Sequence, residues 1–284
     1  MPYGCRVTST VTVNSVYPVV ATTPTPGNIC EGDNSVLNST ATNPGGTDYS
    51  VISIPFVPVA FTPTATLTSG SALGGGSADD GYFNVSLPFD FEFYGTTYTA
   101  GTTVYIGTNG YVTFLSGRTN TYINTMPNAS FPPTMSIFGR DLYLPNGGNI
   151  TYGTAGTAPN RKFVISYNNV PDFSTGPNET GQIVMDEATG NVEMHITTAQ
   201  ATTHTIGIQA NTGTAAAVVP GQNNTSNPLS NASFRFVKPT PVYTWAADPT
   251  LSATNILSPT ANSVTATTTY TLTVTASNGC KTTT

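Results

Sequence analysis

The stretch Val104-Tyr105-Ile106-Gly107-Thr108-Asn109-Gly110-Tyr111-Val112-Thr113-Phe114 decides the fold class. Apolar and polar residues alternate on both sides of Asn109-Gly110, and alternation is the period of a pleated strand with one face buried. Asn-Gly is the favoured central pair of a type I′ hairpin. The stretch therefore predicts two antiparallel strands joined by a tight turn. The same alternation recurs over residues 89–93, 163–167, 182–185, 192–196, 206–209 and 270–274, and over 7–13 near the start. Turn formers stand between the runs, as in Asp79-Asp80-Gly81, Tyr94-Gly95 and Thr189-Gly190-Asn191. No long helical periodicity interrupts them. The chain reads as all-β.

Charge is scarce. Asp, Glu, Lys and Arg make up 8% of the 284 residues, against about 25% in an ordinary soluble domain. Hydrophobic residues still reach 38% and aromatics 10%, enough for packed cores. The polar surface must come from Thr, Ser, Asn and Gly, which suits a protein working outside the cell. The net charge is −6, and no Lys/Arg patch exists to grip phosphates, so no nucleic-acid partner is expected. No apolar run is long enough to span a bilayer, so no membrane insertion is expected.

The residues offer no catalytic set. There is no nucleophile elbow, phosphate loop or His-Glu-x-x-His pattern. His195 and His204 are the only histidines. His195 sits in an alternating run and is expected to face solvent. Asp90 and Glu92 share one side of a strand whose other side is Phe89, Phe91 and Phe93, so they read as its wet face. No enzyme activity is expected. No cofactor is expected apart from calcium, for which Asp79 and Asp80 are the candidate oxygen ligands, with Asp172 near Asn178-Glu179 as a second set.

The two ends of the chain repeat each other. Gly4-Cys5-Arg6-Val7-Thr8 near the start matches Gly279-Cys280-Lys281-Thr282-Thr283 at the end. Around the second copy lie Val242-Tyr243-Thr244-Trp245 and Thr269-Tyr270-Thr271-Leu272-Thr273-Val274; near the first lies Ile29-Cys30-Glu31-Gly32-Asp33. In this order the segments resemble the immunoglobulin-like repeats of secreted adhesins from Bacteroidota. The resemblance implies an immunoglobulin-like β-sandwich split between residues 23–44 and 240–284, with a Cys30–Cys280 disulfide and with Trp245 and Tyr270 in its core. Residues 1–22 would be a terminal strand belonging to, or complementing, a neighbouring unit. Cys5 would then pair outside the chain, and Arg6, Val7, Val11 and Val13 would be the strand-sharing residues. The sandwich is expected to lack its last strand within this chain. Either the next repeat of a longer polypeptide supplies that strand, or a neighbouring subunit does by strand addition.

Residues 45–239 read as a larger antiparallel β domain inserted into that sandwich. Leu87-Pro88-Phe89-Asp90-Phe91-Glu92-Phe93-Tyr94-Gly95, the hairpin quoted first, Arg140-Asp141-Leu142 and Phe163-Val164-Ile165-Ser166-Tyr167 resemble the nidogen-like domain of matrix and adhesion proteins. Where that family often has Ala-Pro-Phe-Trp-Ala-Asp, this chain has Ser136-Ile137-Phe138-Gly139-Arg140-Asp141. The resemblance implies an adhesive or structural domain. The expected protein is thus an extracellular, cell-surface filament or adhesin unit whose partners are copies of itself, head to tail. The alternative is a module binding a surface glycan or a host protein, with Tyr94–Tyr98 and the 119–123 loop offering rings for sugar stacking.

Overall fold

The structure, a computed structural model, describes residues 18–42, 48–173, 178–213, 215–276 and 279–284. The described residues form β-strands and two short 3-10 turns, with no α-helix. The chain divides into two compact units, Met1–Gly46 with Pro239–Thr284, and Thr47–Lys238. The Cys5, Arg6, Val7, Val11 and Val13 expectations lie outside the described residues.

The discontinuous unit is a small β-sandwich of two three-stranded sheets. In one, Val19–Thr25 pairs antiparallel along its whole length with Ser35–Thr42, which pairs on its other side with Thr260–Ala261. The boundary expected after residue 22 therefore falls inside a strand: Val19–Thr25 belongs to this sandwich. The second sheet has the order Val242–Trp245, Leu272–Thr275, Lys281–Thr283. Leu37 from the first sheet meets Trp245, Leu272 and Val274 from the second, and all four are buried. Trp245 satisfies its indole by donating from Nε1 to Ile256 O at 2.9 Å. Half-buried Tyr270 packs against this cluster and shares a 2.7 Å hydrogen bond between its hydroxyl and Thr250 Oγ1. The 270–274 alternation predicts a strand beginning at Tyr270, yet the strand begins at Leu272. Its neighbour Lys281–Thr283 pairs with it, and Thr284 exchanges both backbone bonds with Leu272.

The Thr47–Lys238 unit holds two seven-stranded sheets. One runs Ala216–Thr225, His204–Gln209, Thr134–Ser136, Tyr111–Thr113, Thr103–Gly107, Gly81–Ser86, Gly75–Gly76. The other runs Ser50–Ile54, Leu229–Val237, Val192–Ala199, Asn178–Asp186, Lys162–Pro171, Asn149–Ala155, Ala65–Leu67. All pairings are antiparallel. Val104, Ile106 and Ile208 of the first and Phe163, Ile165 and Met194 of the second share one core, so this unit is a sandwich too. The small hairpin Phe91–Phe93/Thr96–Tyr98 adds Phe91, Phe93 and Tyr98 to that core, with Tyr98 stacked on Phe114 at 4.2 Å. Asp90 is exposed and caps the N–H of Ala100 at 2.7 Å, while Glu92 pairs with Lys238 at 2.9 Å. The Phe-x-Phe alternation thus sorts its residues as the sequence predicts.

The quoted hairpin forms with a different turn. Tyr111 pairs with Gly107, leaving a three-residue loop, Thr108-Asn109-Gly110. Only Gly110 has a positive φ, +74°, whereas a type I′ turn needs it at both central residues. The cause is the Asn109 side chain, which is buried and bonded. Its Oδ1 accepts from Leu142 N at 2.8 Å, and its Nδ2 donates to Asp80 Oδ1 at 2.8 Å and Thr121 O at 3.3 Å. Gly110 leaves no room for a side chain, since a Cβ there would lie 2.8 Å from Phe138 Cβ.

Candidate functional site

The Asp79-Asp80-Gly81 turn is built by local bonds. Asp80 N donates to Ser77 Oγ at 3.0 Å, and Ser77 N donates back to Asp80 O at 3.1 Å. Thr108 Oγ1 donates to Asp79 O at 2.6 Å and accepts from Gly81 N at 3.0 Å, which fixes the turn against the hairpin loop. The structure then adds a residue that the sequence does not reveal. Asp141 brings its carboxylate to Asp79 and Asp80, and one oxygen of each lies within 4.8 Å of the others. Asp79 Oδ1 is buried without a hydrogen-bond partner. Burial raises the pKa of Asp79, and the Asp80 charge adds to it; burial also raises that of Asp141, followed by the charges of Asp80 and Asp79. All-oxygen donors of this kind suit a hard divalent cation, although calcium takes about six to eight oxygens and three carboxylates supply part of that shell.

The second calcium expectation is corrected. Asp172 and Glu179 do converge, but on the guanidinium of Arg140. All three are buried. Gln200 N donates to both oxygens of Glu179, at 3.3 and 3.2 Å. The place expected to suit a cation is thus filled by Arg140. Burial pushes Glu179 up to about 7, against the pull of Arg140, and burial lowers the pKa of Arg140.

His195 does not face solvent; it is 2% exposed. Its strand lies inside the sheet, and the 55–64 segment crosses the adjoining face. Val59 N donates to Gln182 Oε1 at 2.9 Å, Gln182 Nε2 donates to Val59 O at 3.3 Å, and Gln182 pairs with His195. His195 Nδ1 lies 2.7 Å from Ser233 Oγ, and Nε2 lies 3.3 Å from Glu193 Oε2. The adjacent imidazole, then Arg235 and Lys162, hold Glu193 down at about 2. His204 is buried between Gln222 Oε1 at 2.6 Å and Thr202 O at 2.9 Å. Ser233, His195 and Glu193 are all buried in the sheet.

Tyr94 and Tyr98 do not offer rings to a sugar. Tyr98 is buried on Phe114, and Tyr94 packs on the core with its hydroxyl bonded to Ile208 O at 3.2 Å. In the 119–123 loop, Tyr122 is exposed and Ile123 is buried. Phe173 is 52% exposed and meets Tyr143 edge-on at 5.1 Å, next to the acidic turn, since Phe173 N donates to Asp141 O at 3.0 Å.

In the smaller unit, Cys30 is an exposed free thiol, so the Cys30–Cys280 bridge is not formed. Cys30 belongs to an external turn, closed by Asp33 N to Cys30 O at 3.1 Å, while Cys280 borders the second sheet. Beside that turn a cleft of about 560 Å³ opens between Thr22 and Pro24 on one wall and Thr268 and Tyr270 on the other, with Leu37 and Thr284 also lining it.

Two antiparallel sandwiches, one inserted in the other's sequence, define an all-β modular protein. The chain belongs to the NIDO-related family, whose model matches residues 57–247; the Thr47–Lys238 unit is accordingly a nidogen-like domain. No curated protein and no solved structure matches the chain. No helix among the described residues is long and apolar enough to cross a membrane.

Proposed function

We propose that this chain is a non-catalytic structural unit of an extracellular surface filament or adhesin, with units joined head to tail through the immunoglobulin-like sandwich. The observation that carries this reading is the position of the terminal repeat. Among the described residues Lys281–Thr283, the copy of Arg6-Val7-Thr8, is an edge strand, paired with Leu272–Thr275. A motif repeated at both ends of a unit, and built into a sheet edge, is what linkage from one unit to the next requires. The linkage is either chain continuity or strand sharing between subunits. The resemblance to Bacteroidota adhesin repeats, the low charge and the nidogen-like domain support an extracellular setting. Electron microscopy of the native material should show a filament or stalk with a regular axial repeat; dispersed, non-associating particles would rule the reading out.

A second reading is an adhesion module that grips a glycan or a host protein. Exposed Phe173, edge-on to Tyr143 beside Asp141, is the observation in its favour, because aromatic faces next to polar groups bind sugar rings. Glycan-array binding that disappears with Phe173→Ala would support it, and an array without any signal would count against it.

A further inference from the structure

The sequence holds three Asn-Gly steps, at 109–110, 146–147 and 278–279, and Asn278 lies outside the described residues. Besides forming turns, such a step carries a chemistry of its own. The glycine nitrogen can attack the side-chain carbonyl carbon of the asparagine, because glycine has no Cβ to block the approach. A bond forms between that nitrogen and Cγ, and the bond from Cγ to the side-chain nitrogen breaks. The side-chain nitrogen leaves as ammonia, taking the proton that the glycine N–H gives up. Water then opens the cyclic succinimide at either carbonyl, leaving aspartate or isoaspartate. Water is the one co-reactant. What decides the rate is whether the asparagine side chain is free to turn back on its own chain.

Asn109 is not free. It is 1% exposed, its Oδ1 accepts from Leu142 N at 2.8 Å, and its Nδ2 donates to Asp80 Oδ1 at 2.8 Å and to Thr121 O at 3.3 Å. Asn146 is the opposite case. It is exposed, and its side-chain amide has no hydrogen-bond partner. It closes the 3-10 turn Leu144–Asn146, and Gly147 N donates to Leu144 O at 3.2 Å. Bonds of this class have poor geometry, and an exposed turn of three residues opens locally at little cost. Gly147 has a φ of +126°, which favours glycine, and a Cβ there would meet nothing within 4 Å. The attacking nitrogen is therefore unshielded. We propose that Asn146 is a site of spontaneous deamidation in the folded protein, and that the contacts of Asn109 protect it from the same reaction. The product adds a carboxylate to the surface and, as isoaspartate, one more backbone carbon. That carbon falls between two anchored points. Leu144 is buried in the core, and a Cβ on Gly148 would lie 2.4 Å from Asn169 O. A link lengthened between such anchors strains the turn and lowers stability.

The test ages the full chain in mildly alkaline buffer and follows both steps by peptide mapping with mass spectrometry, isoaspartate being counted by enzymatic methylation. In the folded chain Asn146 should convert at least tenfold faster than Asn109. In guanidinium chloride, where no contact protects either residue, the two should convert at similar rates. Asn146→Ser should remove the early isoaspartate signal, and its melting temperature should hold during ageing while that of the wild type falls. Folded chains in which Asn109 converts as fast as Asn146 overturn the protection. An Asn146 that converts in guanidinium chloride and stays intact in the folded chain overturns the site. A wild type that converts at Asn146 and melts as before overturns the strain on the turn.

Discussion

Asn109 Oδ1 accepts the backbone N–H of Leu142 at 2.8 Å, so the loop of one hairpin fixes the start of a distant segment. Leu142 in turn bridges Asp172, and its neighbours continue the pairing through Tyr143 N to Pro171 O at 2.7 Å and Phe173 N to Asp141 O at 3.0 Å. The same amide reaches Asp80. One buried side chain thereby ties the acidic turn, the hairpin and the Arg140 segment together. Asn109→Ala should lower unfolding stability by about 2–3 kcal/mol, because it strands a buried N–H among other lost bonds. Urea denaturation followed by tyrosine fluorescence would measure it; a loss below about 0.5 kcal/mol would show that the amide is not a structural tie.

Tyr167, fully buried in one large sheet, donates its hydroxyl to Gly107 O at 2.8 Å and lies 3.0 Å from Tyr111 O in the facing sheet. Tyr167→Phe keeps the ring and removes only this tie. A cost of about 1–2 kcal/mol is expected, read as a lower denaturation midpoint at unchanged slope.

Arg140 carries the largest expected single effect. Arg140→Met leaves Asp172 and Glu179 buried without their cation, and breaking a buried pair this way costs about 3–5 kcal/mol. Adding Glu179→Leu and Asp172→Asn should recover most of the loss. A triple variant no better than Arg140→Met would show that the guanidinium does more than balance charge.

The pH profile should be bounded on both sides. Glu179 is raised to about 7, so its protonated form is favoured by folding; its contribution is complete below the ordinary carboxylate range and is lost as pH rises towards 7. Glu193 is lowered to about 2, so its contribution is present above the ordinary range and is lost as pH falls towards 2. The melting temperature should therefore peak near pH 4.5–5. Glu179→Gln should flatten the neutral limb and leave the acid limb intact; an acid limb that moved instead would misassign the group.

In EDTA, Asp141→Asn should raise the melting temperature by about 2 °C, since it removes one of three repelling carboxylates. With millimolar calcium the order should reverse, wild type gaining and the variant not. A variant that melts lower in EDTA would mean that the Asp141 carboxylate is held by attraction.

The strands with clear alternation were legible because their signals are local. The residues that define the acidic and Arg140 clusters were not. Asp141 joins Asp79 and Asp80 from a distant segment, and Arg140, one residue earlier, reaches Asp172 and Glu179; only the folded chain brings them together. His195 was misread for a related reason. Its alternation is real, but a crossing segment at Val59 covers the face that alternation leaves open. Gly75–Gly76 and Thr134–Ser136 are too short to carry a period.

The two ends of the nidogen-like unit lie on neighbouring strands, Val237 opposite Ser50. Force applied to those ends peels the Ser50–Ile54 pairing open rung by rung, which takes far less load than sliding the strands lengthwise.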